Sequence, residues 1–203
     1  MKIICIGRNY AEHAKEMNAA VPTEPVFFLK PDTALIKDDQ PFYYPDFSKE
    51  IHHEVELVLK ISKAGKNIAP EFAHKYYDEI GIGIDFTARD IQAKCKEKGL
   101  PWEKAKAFDG SAPIGKFISK TEIKRLDDIN FHLTVNGNTV QKGNTKDLLF
   151  SFDAVIAYVS KFFTLKTGDL IYTGTPEGVG PVKIGDKLEA FIQERSLLAF
   201  EIK

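Results

Sequence analysis

Glu54 and Glu56 stand two residues apart in a stretch, Ile51 to Ile61, that alternates in polarity. On an extended chain their Cα atoms are ~6.6 Å apart and both side chains leave the same face. Two carboxylates held that close repel each other unless a cation or a basic group lies between them. The same spacing also fits a solvent-facing strand with scattered charges, and that alternative stays open on the pair alone. Asp85 adds a third carboxylate in an otherwise apolar stretch, on the face it shares with Gly81 and Gly83. The missing side chains of those glycines leave room for something close to the backbone, and a buried carboxylate there needs a partner. Three carboxylates and no cysteine suit a hard, oxygen-preferring ion, Mg2+ first, with Mn2+ or Ca2+ as alternatives. Glu54, Glu56 and Asp85 are therefore candidate metal ligands.

His13 and Glu16 are three residues apart on a short predicted helix, ~60° apart around its axis. The carboxylate can orient and support the imidazole as a general base, although an exposed histidine with an incidental acidic neighbour has the same spacing. His52 and His53 point to opposite faces and fit no H-E-x-x-H pattern; one reads as core-facing and the other as close to the carboxylates. The loop from Gly174 to Gly180 lacks the Gly-Lys-Ser/Thr end of a P-loop and the spacing of G-x-G-x-x-G, and Phe86 stands where a pattern begun at Gly81 needs its third glycine. A G-x-S-x-G nucleophile elbow is also missing.

The elements that must position these groups are mostly short strands. Residues 3 to 6 read as a strand, followed by a helix from about Tyr10 to Met17 with Asn9 as N-cap and Glu12 completing a capping box. Two turns of helix, with only Tyr10, Ala14 and Met17 as apolar anchors, are marginal alone, which suits a lid that closes over a ligand. Five prolines between Pro22 and Pro45 predict extended edge segments or irregular loop. Ile51 to Ile61 and Ile80 to Thr87 alternate as strands. Thr87 is the expected N-cap of a helix that stops at Gly99, before Pro101. Asn136-Gly137 between Phe131–Val135 and Thr139–Lys142 predicts a hairpin. Ser151 is the expected cap of a helix running to about Phe163. Strands are expected over Asp169–Tyr172, Lys187–Gln193 and Leu197–Ile202, without the regular strand-helix alternation of a doubly wound sheet.

Composition narrows the function classes. In 203 residues, 28 Lys and Arg stand against 29 Asp and Glu, a net charge of −1, with 43% apolar residues. That length and apolar content suit one domain with a sizeable core. Nucleic-acid binding needs a clustered basic excess, and only the run from Lys94 to Lys98 exists, readable as the solvated face of a helix. No apolar stretch approaches the ~20 residues of a membrane span, and the apolar start is broken at Arg8 and Asn9 before a signal-peptide core can form. A cytoplasmic location is expected. Cys5 and Cys95 are distant in sequence and lack metal-finger spacing, so both are expected to be reduced.

Six ordered blocks carry a resemblance that spans nearly the whole chain. They are Gly7-Arg8-Asn9-Tyr10-Ala11-Glu12-His13, Phe28-Leu29-Lys30-Pro31, His52-His53-Glu54-Val55-Glu56-Leu57, Asp85-Phe86-Thr87-Ala88-Arg89-Asp90, Lys98-Gly99-Leu100-Pro101-Trp102, and Gly168 through Gly180. The sequence resembles the fumarylacetoacetate hydrolase family, in its short single-domain branch of acylpyruvate hydrolases and oxaloacetate decarboxylases. The resemblance implies an α+β fold, a mixed and mostly β sheet rolled on itself with a few short helices, as one catalytic domain over residues 1–203, usually in a homodimer. It matches Glu54, Glu56 and Asp85 to metal ligands, Arg89, Gln92, Lys106 and Thr175 to positions that hold the substrate's carboxylate and keto oxygens, and His13 and Glu16 to a dyad on a lid, with Lys106 also counted among the catalytic residues. The implied activity is Mg2+-dependent cleavage of the C–C bond of 2,4-dioxo acids to pyruvate and a carboxylic acid, with oxaloacetate decarboxylation open to the same site. Isomerisation of a 2-hydroxydienoate is the alternative, since all three pass through one enolate. A carboxylate- or metal-binding module without turnover is the reading from another class, and the intact dyad weighs against it. The partner expected is a small 2-oxo acid, with no nucleic acid and no membrane.

Overall fold

The computed structural model describes residues 1–17 and 19–203. Its main sheet has six strands in the order Phe27–Lys30, Ile3–Ile6, Leu170–Tyr172, Val55–Ile61, Tyr77–Ile84 and Ile118–Ser119. Ile3–Ile6 runs parallel to Leu170–Tyr172, and the other neighbours are antiparallel. A second, antiparallel sheet has the order Asn138–Asn144, Asn130–Val135, Lys187–Ile192 and Arg195–Glu201. Five short α-helices are described: α1 Ala11–Glu16, α2 Pro70–Ala73, α3 Arg89–Lys98, α4 Glu103–Lys106 and α5 Phe152–Val159. The chain is thus mixed α+β and mostly sheet.

Strand alternation explains the layering, because successive side chains leave opposite faces. Val55, Leu57, Leu59 and Ile61, with Ile80, Ile82 and Ile84, turn toward Phe131, Leu133, Leu188, Ala190, Ile192 and Leu198 of the second sheet in one large core. The opposite face buries a smaller cluster of Ile3, Cys5, Val58, Leu170 and Tyr172. Glu56 lies on this second face, in register with Gly83. The Pro22–Pro45 region holds the edge strand Phe27–Lys30, where proline-rich neighbours cost no ladder bonds. Both cysteines are buried and unbridged. No described helix is long and apolar enough to cross a membrane.

Local signals set several boundaries. Asn136 (φ 52°) and Gly137 (φ 79°) form the tight turn joining Asn130–Val135 to Asn138–Asn144. Ser151 caps α5 by accepting from the Ala154 N–H, but the helix ends at Val159, short of Phe163. Gly99, left-handed at φ 62°, terminates α3.

Other expectations need correction. The stretch Ile51–Ile61 is two strands broken at Glu54: Ile51–His53 pairs with Thr87–Ala88 and Gly180–Pro181, while Val55–Ile61 belongs to the main sheet. Thr87 is not a cap, since it lies in a two-residue strand and its hydroxyl donates to the Asp85 carbonyl; Ala88 opens α3 without a side-chain cap. Asn9 does not cap α1 either. Tyr10 occupies that position, and the Asn9 side chain is used elsewhere.

Candidate active site

The break at Glu54 brings the acidic side chains together. The Glu54 carbonyl accepts from the Asp85 N–H at 2.8 Å, clamping the strand break to the turn that follows Tyr77–Ile84. The Val55 N–H, freed from the ladder, donates to Gln141 Oε1 at 3.0 Å, and the same oxygen takes the Nδ1 proton of His53 at 2.9 Å. Gln141 Nε2 donates in turn to Thr175 Oγ1 and the Pro176 carbonyl, fastening this corner to the glycine loop. Glu54, Glu56 and Asp85 are 5%, 1% and 1% exposed, so the solvent-facing reading of the pair is excluded. One carboxylate oxygen from each lies within 4.8 Å of the other two.

Three buried or half-buried cations meet two of the three carboxylates, Glu54 and Asp85. Lys106, at the end of α4, reaches Glu54 at 2.6 Å and Asp85 at 2.8 Å. Arg89, at the start of α3, reaches Glu54 at 2.6 Å and donates to Gln92 Oε1. Lys30 is wholly buried, 2.8 Å from Asp85 Oδ1, and donates to the Ser111 carbonyl and hydroxyl and to the Lys106 carbonyl. Burial alone would raise the Glu54 proton affinity, but Lys106 and Arg89 outweigh it and hold the carboxyl well below its usual range. Burial would also lower Lys106, yet Asp85 and Glu54 raise it, so it stays an ammonium.

Glu56 behaves differently. Its polar contact is the Gly174 N–H, at 2.7 Å, and no lysine or arginine is bonded to it. Burial, followed by repulsion from Asp85 and Glu54, pushes its carboxyl well above the usual value. Among the described residues Asp85 Oδ1 has no hydrogen-bond partner, and only the Lys30 ammonium pairs with it, by charge, at 2.8 Å. A buried, uncompensated carboxylate beside an orphaned carboxylate oxygen, in an all-oxygen donor set, fits a hard divalent cation such as Mg2+ or Mn2+.

The glycines beside the triad do not leave space for a ligand, as the sequence suggested. A Cβ on Gly83 would stand 2.7 Å from the Tyr172 ring and 2.8 Å from the Pro113 carbonyl, and one on Gly81 would stand 2.9 Å from Phe117. Aromatic rings fill that space. Gly174 is different, since at φ 103° its missing Cβ admits Asn9, whose own Cβ would be 2.6 Å away. Asn9 then donates to the Thr173 and Phe150 carbonyls and accepts from the Phe150 N–H, rooting α1 against the loop.

His13 is 5% exposed on α1 and 3.1 Å, through Nδ1, from Glu16 Oε2. A carboxylate only accepts, so Nδ1 carries a proton toward Glu16, and in the neutral imidazole the lone pair is then on Nε2. Glu16 Oε1 accepts from the Gly178 N–H at 3.0 Å, which holds α1 down on the glycine loop. His13, Glu54, Arg89, Gln92 and Lys106 line one narrow cavity of about 20 Å³. Thr175 does not line it; its hydroxyl is buried against Gln141. His53 faces the buried Gln141 corner and His52 lies near Arg89, as the opposite faces implied.

Lys30, Asn9 and Gln141 were missed as site residues by sequence reasoning. Lys30 and Asn9 carried a signal, as parts of the blocks Phe28-Leu29-Lys30-Pro31 and Gly7 through His13, whereas Gln141 lies in none of the six blocks.

The chain is similar to known proteins along nearly its whole length. Residues 2–203 match the family described as Fumarylacetoacetate (FAA) hydrolase C-terminal. Oxaloacetate tautomerase FAHD1, mitochondrial, of Mus musculus is 45% identical over 201 residues, covering 99% of this chain and 91% of that protein. Oxaloacetate tautomerase YcgM of Escherichia coli (strain K12) is 46% identical over 197 residues, covering 97% and 90%. The crystal structure of fumarylpyruvate hydrolase from Pseudomonas aeruginosa in complex with Mn2+ and pyruvate has a TM-score of 0.94 at 37% identity, covering 100% of this chain and 89% of that one.

Proposed function

The chain belongs to the fumarylacetoacetate hydrolase family, and we propose that it is a divalent-metal-dependent enzyme acting at C3 of small 2-oxo acids, first by keto-enol interconversion of oxaloacetate. One observation carries this reading: the His13 imidazole, oriented through Nδ1 by Glu16, lines one cavity with the cations Arg89 and Lys106 and the carboxylate Glu54. The relatives named oxaloacetate tautomerase supply the substrate.

Arg89 and Gln92 hold the substrate carboxylate, and Lys106 meets the 2-oxo oxygen. His13 Nε2 takes a proton from C3; the C–H electron pair becomes the C2–C3 double bond, and the oxygen at C2 receives a proton to give the enol. An ion held by Glu54, Glu56 and Asp85, Mg2+ or Mn2+, would supply Lewis-acid stabilisation of negative charge at that oxygen. Glu16 keeps His13 in the required tautomer, and α1 as a lid excludes bulk water.

A second reading is hydrolysis of acylpyruvates to pyruvate and a carboxylic acid, with His13 activating water toward C4. The match to fumarylpyruvate hydrolase favours it, and oxaloacetate decarboxylation would share the same enolate. Residues 1–203 acting as one catalytic domain, in a cytoplasmic homodimer that binds no nucleic acid, belong to the same proposal; light scattering at micromolar concentration tests the dimer. The deciding experiment follows the ultraviolet absorbance of oxaloacetate enol and, separately, pyruvate release from oxaloacetate and acetylpyruvate, with Mg2+ or with EDTA. Metal-dependent enol interconversion exceeding both cleavage rates supports the first reading; acetylpyruvate cleavage exceeding it favours the second. Interconversion unaffected by EDTA and by His13→Ala overturns the site.

A further inference from the structure

Two cations at the cavity mouth are left over when the charges of the site are matched. Glu54 is met by Arg89 and Lys106, and Asp85 by Lys106 and Lys30. Arg8 and Lys96 line the same cavity, and neither has a carboxylate partner among the described residues. Arg8 follows the strand Ile3–Ile6 and is half-buried; Lys96 lies on α3, with its ammonium 5.7 Å from the centre of the Trp102 ring.

Helix geometry sets the span between the two ends of the cavity. Arg89, Gln92 and Lys96 are spaced three and four residues apart on α3, so they share one face. At 1.5 Å rise per residue, Lys96 lies about 10 Å along the axis from Arg89. Both side chains lean the same way along the helix, so that separation is kept between them. Two hydrogen-bond lengths plus a four-carbon diacid fill a span of that order. Like charges converging on one space repel unless an anion enters it; Lys96, solvent-exposed on α3, is held below the usual lysine range by partial desolvation and then by Arg89 and Arg8.

We propose that Arg8 and Lys96 form a distal carboxylate subsite that selects 2-oxo dicarboxylates over 2-oxo acids ending in an uncharged group. This rests on the C3 chemistry proposed above and goes further by assigning the recognition of the second carboxylate. The overall charge agrees: three carboxylates face five cations once Arg8 and Lys96 are counted, so the site carries surplus positive charge that an entering dianion offsets.

The test uses the Mg2+-loaded protein, wild type and Arg8→Gln/Lys96→Gln, with oxaloacetate and its C4 methyl ester, which keeps the shape but removes the distal charge. A hydrogen bond to a charged group contributes roughly 1.5 to 3 kcal/mol, so kcat/KM for oxaloacetate should fall about 10- to 100-fold, mostly through KM. The ester should change little, inhibition by oxalate, which occupies only the proximal end, should hold, and Arg8→Lys should retain most of the preference. Equal losses on acid and ester, or an unchanged preference for the acid, would overturn the subsite. Calorimetric binding of acid and ester to both proteins keeps the test independent of turnover. A charge preference lost in the variant supports the subsite even if wild type turns over neither compound, an outcome that would refute the proposed reaction alone.

Discussion

The carboxylate floor and the α1 lid face each other across one cavity and are built in opposite ways. The floor is tied by long-range bonds: Lys30 to Asp85, Lys106 to Glu54 and Asp85, Gly174 to Glu56, and Gln141 to Val55. Its charged groups are almost wholly buried, so any shift in position would strand a charge away from water. The lid is six residues long, too short to be stable alone, and Glu16 holds it to the loop at Gly178 while Asn9 anchors its root. Electrostatic groups thus sit where the fold is least able to move. The proposed base, His13, sits on an element held by a few bonds, whose release and reclosure in the proposed reaction would let substrate enter and shut water out.

Breaking the floor should cost most. Glu56→Ala removes a triad member and should reduce metal-dependent turnover by roughly 10³-fold or more, the scale of several kcal/mol of charge stabilisation. Calorimetry should show weak Mg2+ binding by the two remaining carboxylates; full activity in metal-stripped wild type would instead defeat the triad assignment. His13→Ala, on the lid, should cost about 10² to 10⁴ in enol interconversion or acylpyruvate cleavage. Its Mg2+ affinity should stay near wild type, because the ligands lie on the floor. Oxaloacetate decarboxylation needs no attacking water and should lose less; equal, small effects on every reaction would sink the base assignment.

Glu16→Gln tests the tether. The amide has one oxygen where Glu16 uses two, so either a bond to His13 or Gly178 is lost or the amide NH2 donates to Nδ1 and imposes the other tautomer. A loss of about tenfold in kcat, near the 1.4 kcal/mol that separates a charge-assisted from a neutral hydrogen bond, should come with faster amide exchange in α1 and unchanged exchange in the floor. Uniform exchange in both regions would erase the contrast between them.

The smallest effect belongs to His52, at the rim of the floor. Burial, then Arg89 and His53, lower it to about 4. Its folded value lies below the unfolded one of about 6.5, so the unfolded chain binds more protons between those values and stability falls as pH drops through that window. His52→Gln should flatten the acid side of the melting curve by about 2 to 4 °C, with no change at pH 8.

Local rules determined much of this protein. Alternation marked the strands, Asn136-Gly137 the hairpin, Ser151 and Gly99 two helix ends, and spacing put Glu54 with Glu56 and His13 with Glu16, because each depends on neighbours a few residues away. Tertiary structure alone decided that Ile51–Ile61 breaks at Glu54, that rings fill the space beside Gly81 and Gly83, and that Asn9 roots the lid instead of capping it. Lys30 meets Asp85 55 positions away in sequence, Gln141 meets Val55 across 86 and Gly174 meets Glu56 across 118. No local periodicity encodes such pairings. They follow from burial, which compels each polar group to find a partner wherever the packed sheets bring one within reach.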